Sequence, residues 1–446
     1  MTLPPPAGAR TRGDVIITGA TGFLGMELMA RLLEEDGDRR VWALVRASSQ
    51  AEAEERVSAT LASLVPDPEA VAGRVIPVVG DLTQDGLGIE LRLRDELAEA
   101  VEEVIHSAAS VSFSLPLDEA RAVNVEGTRH VLELTMLAAT RGARLRRFAH
   151  VSTAYVAGTH RGSFGERDFA RGQGFNNTYE LSKWEAERLV RRHAGLVPVQ
   201  VFRPSIVVGD DRTGWTSSFN VIYSPLRAYA CGALPAVPAR RSAPVDVVPV
   251  SYVARAILAL ADAAPGRTFQ LAAGPAASSI GELIDRGAEL LEQPRARALP
   301  PVFYRRVVHP LLMRRGGPAQ RRWLERGQVF FPYLASRVRF DVEATQAALA
   351  DAGIGPVPPL ASYLHTLLEF AERTEWGRRA LPRSTVASPV GGGVDEREVD
   401  GGADPGPERP DRDRDGSEQR PGPGDGPRAR ACGSAGGAGV PQHAER

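Results

Sequence analysis

Apolar runs of strand length alternate with segments of helical periodicity through the first half of the chain. The runs are rich in valine and isoleucine and are almost continuously apolar, as parallel strands covered on both faces are. A helical pattern, MELMARLLEED, follows the first run. Because strand and helix alternate at this spacing, the sequence predicts an α/β fold built on a doubly wound parallel sheet. The predicted strands are residues 14–19, 40–46, 74–81, 103–109, 146–156 and 197–209.

The alternation stops near residue 210, which predicts a second unit of different construction. Residues 13–209 are expected to form a Rossmann-type domain, and residues 210–376 a smaller mixed lobe for the substrate. Part of that lobe, near 245–275, is expected to return to the first domain. Helices are predicted in the lobe near 278–292, 343–352 and 360–375.

The two ends of the chain have compositions that do not support a core. Residues 1–12 are predicted to be a flexible arm. Residues 377–446 contain no Phe, Trp or Tyr and consist mostly of Gly, Pro, Asp, Glu and Arg. Such a segment cannot bury enough apolar surface to offset the entropy lost on ordering. It is therefore predicted to be a disordered tail without chemistry of its own.

The first predicted strand ends in TGATGFLG, which places Gly19, Gly22 and Gly25 ahead of a helical pattern. In such a strand–turn–helix unit, the first glycine permits the tight turn and the second lets the backbone approach a pyrophosphate. The third lets the helix pack closely on the sheet. The amides of residues 21–24 would then point at phosphate from a helix N-terminus. The motif predicts a dinucleotide site, and glycines with a purely structural role are the alternative.

The end of the second predicted strand indicates which dinucleotide is bound. A free ribose 2′-hydroxyl is usually met by an acidic residue about twenty positions after the glycines, whereas a 2′-phosphate is met by arginine. Arg46 lies 21 residues after Gly25, and no Asp or Glu occurs between Val41 and Gln50. The sequence therefore favours NADPH over NADH. An arginine that simply flanks the strand is the alternative.

Three further runs end at the edge where an open parallel sheet binds its ligand. In GDL, Asp81 can accept a hydrogen bond from an adenine amino group. In HSAAS, the small side chains of Ala108 and Ala109 let the chain run close to a cofactor. HVSTAYV presents Ser152 and Thr153 at the same edge.

Composition singles out one residue. The chain has 54 lysines and arginines, and Lys183 is its single lysine. A lysine kept among arginines indicates a position where a compact point charge functions and a planar guanidinium does not. Lys183 follows Tyr179 by four residues, so the two share a face if 177–193 is helical, with Asn177 or Thr178 as N-cap. This spacing favours a functional pair, with an ordinary surface pair as the alternative.

The formal net charge of −1 argues against nucleic acid as a partner. Two cysteines, no clean signal peptide and no run of eighteen uncharged apolar residues predict a cytoplasmic protein without a membrane span. Histidine-rich metal-ligand clusters, P-loops and nucleophile elbows are absent from the sequence, so no metal site is predicted. The sequence leaves the oligomeric state open.

A series of motifs carries a family resemblance. TGATGFLG, VRA, GDL, HSAASVSF, NVEGT, HVSTAYV, YELSK and FRPSIVVGD occur in that order. As a set they resemble the extended short-chain dehydrogenase/reductase superfamily. The residues within these motifs are similar to those of one branch of the superfamily. That branch contains the fatty acyl-CoA reductases and thioester reductase domains, the male sterility reductases. The resemblance covers residues 14–260 closely and 261–375 loosely.

The resemblance implies a catalytic triad of Thr153, Tyr179 and Lys183. In such enzymes the lysine hydrogen-bonds the nicotinamide ribose and its charge lowers the pKa of the tyrosine. Thr153, rather than Ser152, would hold the substrate oxygen beside Tyr179. The motifs and the resemblance together give a predicted NADPH site of Gly19, Thr21, Gly22, Phe23, Leu24, Gly25, Arg46, Asp81, Leu82, Ser107, Ala108, Ala109, Asn124, Tyr179, Lys183, Pro204, Ser205 and Ile206.

The resemblance also implies a substrate. The chain is similar to enzymes that use NADPH to reduce an acyl thioester to an aldehyde or alcohol. In those enzymes the acyl group is carried on CoA or on a carrier protein. An epimerase, dehydratase or hydroxysteroid-type dehydrogenase with the same triad is the alternative. A non-catalytic NADP-binding sensor is a third reading, against which the Tyr-x-x-x-Lys pair argues.

Residues 299–331 mix arginine with bulky apolar side chains. This pattern fits an amphipathic helix of the small lobe. It also fits a surface for a phosphopantetheine arm, an acyl chain or an anionic membrane face.

Overall fold

A computed structural model describes residues 13–386, apart from 36, 38, 142, 143, 220 and 335. Its central element is a seven-stranded sheet in which all strand pairs are parallel. The predicted α/β fold with a parallel sheet is thus confirmed. The predicted arm and residues 387–446 of the predicted tail lie outside the described residues. The strands of the sheet are β1 Asp14–Thr18, β2 Val41–Val45, β3 Val75–Val79, β4 Val101–His106, β5 Arg147–Val151, β6 Val199–Pro204 and β7 Thr268–Leu271.

Helices cover both faces of the sheet. The longer ones are α1 Phe23–Glu35, α2 Gln50–Leu64, α3 Leu91–Ala100, α4 Gly127–Thr140, α5 Thr178–Arg192, α6 Tyr223–Ala230, α7 Val250–Ala259, α8 Ile280–Leu290, α9 His309–Arg315, α10 Pro318–Gly327, α11 Glu343–Asp351 and α12 Leu360–Arg373. Short helical segments lie at Glu69–Ala72, Asp85–Gly88, Leu117–Arg121, Ala122–Glu126, Ala154–Ala157, Leu260–Asp262, Gly274–Ala276, Pro301–Phe303, Tyr304–Val308, Gln328–Phe330, Phe331–Leu334 and Arg383–Thr385. Within the described residues, no helix combines the length and apolarity that a membrane span requires.

Alternate residues of the strands enter two different cores. On β1, Val15 and Ile17 pack with α1, α2 and α7, whereas Ile16 faces α3, α4 and α5. On β2, Trp42 and Leu44 also enter the second core. Both sets are apolar because both faces of the sheet are covered, which explains the continuous apolar runs in the sequence.

The strand order places a crevice where the site was expected. The order is β7–β6–β5–β4–β1–β2–β3, so the chain reverses direction across the sheet between β1 and β4. Ligands of open α/β sheets bind at the carboxyl ends of the strands beside such a reversal. Thr18 pairs with His106 in the register of β1 and β4, and His106 with His150 in that of β4 and β5. These three side chains therefore lie side by side beneath the crevice.

The second lobe begins where the sixth predicted strand breaks. Residues 197–209 form β6 as far as Pro204, and Ile206–Val208 then leaves the sheet to pair with Val247–Pro249. Helices α6, α8 and α12 enclose a separate apolar core in this lobe, and α8, α11 and α12 match the three predicted lobe helices. The chain returns to the main sheet as β7, beside β6. Other short strand pairs are Pro244–Val245 with Ser278–Ser279, Ala236–Pro238 with Arg297–Leu299, and Gly162–Phe164 with Val338–Phe340.

The start predicted for the tail, residue 377, is too early. Residues 377–386 pack back on the first domain, where Leu381 and Val386 contact the core beside α1 and α2. The Leu381 carbonyl accepts a hydrogen bond from Trp215 Nε1 at 3.3 Å. Arg383 Nε donates to the buried carboxylate of Glu27 at 2.8 Å. Composition missed these ten residues because one arginine and two aliphatic side chains make the contacts.

We predict that Arg383→Ala destabilises the protein by about 1–3 kcal/mol, since it removes a partner of a buried carboxylate. Arg31, which also contacts Glu27 at 2.7 Å, limits the loss. The urea midpoint of unfolding measures the effect. Arg379→Ala is the matched control, because this exposed arginine lies in the same segment. Equal midpoints for the two variants would show that residues 377–386 contribute no stability through Arg383.

Candidate active site

The glycine turn after β1 has the close packing that the motif predicts. Gly19 has a φ of +72°, and a Cβ there would lie 2.9 Å from the backbone of Ala108. A Cβ on Gly25 would lie 2.0 Å from the Gly19 carbonyl oxygen. Gly22 differs, because it is exposed and only the Gly19 oxygen, at 3.2 Å, lies near its added Cβ. Gly19 and Gly25 therefore build the turn, whereas Gly22 leaves an open approach at the start of α1.

The loops after β2 and β3 emerge side by side. The Gly80 amide donates to the Val45 carbonyl at 3.0 Å, which brings Arg46 and Asp81 to adjacent strand ends. Arg46 is exposed, and its carbonyl accepts a hydrogen bond from Arg56. One Asp81 oxygen accepts from the amide and hydroxyl of Thr83 at 2.8 and 2.7 Å. Leu82, next along the chain, lies against Gly127 at the start of α4.

The loop after β4 is held by two side-chain clamps. Thr18 Oγ1 accepts from the Ala108 amide at 3.2 Å, and the Ser107 amide donates to the Thr18 carbonyl at 3.3 Å. Asn124 is buried, and its amide bonds the backbone of Ser110 at 2.8 and 3.1 Å. It also donates to Ser182 Oγ on α5 at 2.9 Å. Asn124 therefore positions this loop against α5.

Helix α5 presents Tyr179 to the end of β5. Asn177 is its N-cap and accepts from the Glu180 amide at 3.0 Å. The Tyr179 hydroxyl is hydrogen-bonded to the side chain of Thr153. Burial raises the pKa of Tyr179 to about 12, the Thr153 bond lowers it, and the Glu180 carboxylate raises it. In this structure burial thus shifts the pKa of Tyr179 upward, whereas the resemblance implies a lowering by Lys183 together with the oxidised nicotinamide.

Lys183 lies one helical turn after Tyr179 and is almost completely buried. Its ammonium donates to the Val151 carbonyl, the last residue of β5, at 2.8 Å. Burial lowers the pKa of Lys183 to about 8, and the negative charge of Glu187 opposes that shift. The lysine therefore remains largely protonated at neutral pH. The end of β5 thus brings together Thr153, which follows that strand, and the α5 residues Tyr179 and Lys183.

Glu187, another turn along α5, organises a buried ion network. Arg203 on β6 donates to it from Nε and Nη2, the shortest distance being 2.7 Å. Arg191 and Ser152 each donate to it at 2.7 Å. These cations hold the pKa of the Glu187 carboxyl below its usual value although burial acts in the opposite direction. Ser152 is thus bonded to Glu187, which leaves Thr153 as the hydroxyl that faces Tyr179.

Two buried histidines lie near Lys183. His106 bonds Thr18 Oγ1 at 2.7 Å and Thr128 Oγ1 at 2.9 Å. Burial, with a smaller effect from the charge of Lys183, lowers the pKa of His106 to about 3. The His150 ring lies 5.4 Å from that of His106, and burial lowers its pKa in the same way. Both rings are therefore neutral and add no positive charge beside Lys183.

A row of aromatic rings connects Tyr179 to an apolar cavity of about 140 Å³ in the second lobe. The Phe113 ring lies 5.6 Å from Tyr179 and 5.4 Å from Tyr333, and Tyr333 lies 5.0 Å from Tyr155. Tyr155 and Tyr333 line the cavity, and aliphatic side chains form most of the remaining wall. Asn177 Nδ2 donates to the Tyr333 hydroxyl at 2.7 Å, which links the lobe to the N-terminus of α5.

The remaining predicted residues divide between sheet and cavity. Pro204 is buried as the last residue of β6, and the Ser205 amide donates to the Leu271 carbonyl at 3.0 Å. Ile206 lines the apolar cavity. Phe23 lies 5.9 Å from the ring of Trp215. Within the described part of the chain, His, Cys, Asp and Glu side chains form no group of three that could hold a metal ion.

The ion network and the aromatic row are absent from the sequence-based predictions. Glu187 carried a detectable signal, since it stands four residues after Lys183 and eight after Tyr179 on one helical face. Arg203 also carried a detectable signal, because it is a charged residue within an otherwise apolar predicted strand. Phe113 and Tyr333 are separated by more than two hundred residues, and no local pattern connects them.

Fold and site together define an NAD(P)-binding oxidoreductase of the extended short-chain dehydrogenase/reductase type. A profile of the male sterility protein family, a family of NAD-binding proteins, matches residues 17–257, more than half of the chain. The protein belongs to this family, which confirms the predicted resemblance.

Solved and curated relatives agree with that assignment. The terminal R domain from the myxalamid PKS-NRPS biosynthetic pathway superposes with a TM-score of 0.70 at 28% identity, over 83% of this chain and 93% of that one. The L-2-aminoadipate reductase large subunit of Eremothecium gossypii is 29% identical over 61% of this chain and 20% of its own length. The isonitrile lipopeptide synthase of Mycobacterium tuberculosis is 33% identical over 55% of this chain and 11% of its own. The chain thus spans a fifth or less of these two relatives.

Substitution of the second and the third glycine of the turn should have different effects. Gly25→Ala should cost about 3 kcal/mol or more of stability, because its Cβ overlaps the Gly19 carbonyl. Gly22→Ala should fold with a near-normal melting temperature but bind NADPH about tenfold more weakly, a loss of about 1.4 kcal/mol. Thermal melts and NADPH fluorescence titrations separate the two effects. Normal NADPH affinity in Gly22→Ala would remove this turn from the cofactor site.

Proposed function

We propose that the protein uses NADPH to reduce an acyl thioester, carried on CoA or on a carrier protein, to an aldehyde or alcohol. The observation that carries this proposal is the hydrogen-bonded pair of Thr153 and Tyr179, with buried Lys183 beside it and an apolar cavity behind it. Similarity to a terminal R domain and to an aminoadipate reductase supports the reaction class.

The residues present fit a dinucleotide. The open approach at Gly22 lies where the backbone would meet the pyrophosphate, at the N-terminus of α1. Arg46 at the end of β2 offers a cation to a 2′-phosphate, and Asp81 an acceptor to the adenine. When bound, the nicotinamide supplies a hydride to the thioester carbonyl carbon.

Tyr179 supplies the proton that the carbonyl oxygen must gain. The raised pKa of this phenol keeps it protonated at neutral pH, as a general acid requires. The Thr153 hydroxyl, already bonded to Tyr179, can hold the same oxygen. Lys183 would hold the nicotinamide ribose, and its charge favours electron density that builds up on the oxygen. Loss of the thiol from the resulting hemithioacetal gives the aldehyde.

The cavity favours an acyl substrate over a sugar nucleotide. A nucleotide diphosphate requires several cations or N–H donors around its phosphates. The cavity wall consists mainly of aliphatic and aromatic side chains, and its charged members are Asp246 and Arg339. Asp246 is itself occupied, because both its oxygens accept backbone amides at 2.8 Å.

Cofactor oxidation with a substrate panel tests the proposal. We expect turnover with acyl-CoAs, faster with NADPH than with NADH, and little with UDP-sugars, a simple ketone or a sterol. Tyr179→Phe should still bind NADPH but lose about 10²–10⁴-fold in kcat. Tyr363→Phe, a buried tyrosine of the second lobe's core, is the control. Turnover restricted to UDP-sugars or sterols would overturn the proposal.

The pKa of Lys183 predicts how kcat/KM changes at alkaline pH. This residue is protonated below its pKa of about 8 and loses its charge above it. Because kcat/KM reports ionisations of the free enzyme, wild-type kcat/KM should fall as the pH rises through about 8. Lys183→Arg should lose about 10²–10⁴-fold, since the guanidinium has a different shape, but should show no fall there because arginine stays charged. If kcat/KM of this variant still fell near pH 8, the fall would come from the ionisation of another group.

A further inference from the structure

Positive charge is concentrated in residues 299–331. This segment contains seven arginines and one glutamate, a formal charge of +6 in a chain whose total is −1. Arg305, Arg306, Arg314 and Arg315 are exposed. Across the described residues, none of these four forms an ion pair with an acidic side chain. Their charges are therefore available to an anionic partner.

The same segment concentrates exposed apolar side chains. Eight large hydrophobic residues are exposed in the described part of the chain, and five of them lie here. Leu91, Val111 and Leu196 are the three that lie elsewhere. Single exposed apolar residues are ordinary, whereas a cluster indicates an interaction surface. The five are Val302, Phe303, Val307, Leu311 and Val329.

The apolar side chains form a stripe on consecutive helical segments. Phe303, Val307 and Leu311 follow one another at four-residue intervals from Pro301–Phe303 to α9 and are 49%, 49% and 43% exposed. Tyr304 is completely buried and packs edge-on against Phe331 at 5.5 Å. The stripe is therefore held outward by an anchored helix.

We propose that this surface, residues 301–315, binds the face of an anionic lipid bilayer. Interfacial helices carry arginine or lysine beside an exposed stripe of Phe and Leu, so that the apolar side chains enter the acyl boundary and the cations meet phosphates. Here the stripe is exposed on the lobe, and none of Phe303, Val307 and Leu311 lines the apolar cavity. One bilayer accommodates both the charges and the projecting side chains. This surface does not depend on the proposed reaction.

Vesicle co-sedimentation of the full chain, without substrate or cofactor, tests this surface. We expect at least about tenfold more binding to phosphatidylcholine vesicles containing roughly a third phosphatidylglycerol than to pure phosphatidylcholine. Salt at about 1 M, where the Debye length is about 3 Å, should abolish most of the binding. Equal binding to both vesicles, or none to either, would overturn the proposal and leave the surface to an acidic protein.

Matched variants locate the contact. Phe303→Ser with Leu311→Ser, and separately Arg306→Gln with Arg314→Gln, should each reduce binding about tenfold or more. Leu91→Ser with Arg92→Gln, an exposed leucine and arginine on α3, should bind like wild type. Circular dichroism and melting temperature confirm folding of each. Normal binding by both test variants, or an equal loss in the control, contradicts the proposal, and a test variant that fails to fold is replaced by Val307→Ser.

Discussion

The site depends on keeping one ammonium group charged inside the protein. Burial of an isolated ion costs several kcal/mol, and the usual response is loss of the proton. Lys183 is only 3% exposed, yet the Val151 carbonyl accepts its hydrogen bond and the Glu187 carboxylate lies one helical turn away. Glu187 in turn remains ionised because Arg203 and Arg191 surround it. The charge of Lys183 thus rests on a network that joins α5 to the two strands beneath it.

This network also determines where the two hydroxyl side chains after β5 lie. Ser152 is bonded to Glu187 and the next residue, Thr153, faces the Tyr179 hydroxyl. A strand alternates its side chains, so fixing one hydroxyl to the network directs the other to the crevice. The neutral rings of His106 and His150 fill the space nearby without competing for charge. Substitutions at Glu187 or Arg203 would therefore disturb the placement of Thr153 and Lys183.

The second lobe reaches the site through aromatic contacts. Phe113, from the loop after β4, lies between Tyr179 and Tyr333, and Tyr333 is bonded to the N-cap residue Asn177. The cavity wall and the Tyr179 phenol are thereby held in one packed unit. Desolvation by the same packing raises the pKa of Tyr179. The lobe that encloses the cavity thus also helps to keep Tyr179 protonated.

The sequence alone determined the α/β fold, six of the seven strands of the sheet, the glycine turn and the Tyr179–Lys183 pair. Each of these features follows from the periodicity or spacing of residues that are close together in the chain. Tertiary structure decided what depends on distant segments. These features are the pairing of the seventh strand with β6, the return of residues 377–386 to the first domain, the Arg203–Glu187 pair and the row of rings from Tyr179 to the cavity. It also determines the burial that raises the pKa of Tyr179. Tyr179 is buried by side chains that are far apart in the chain. The degree to which they exclude water from it cannot be predicted from a local motif.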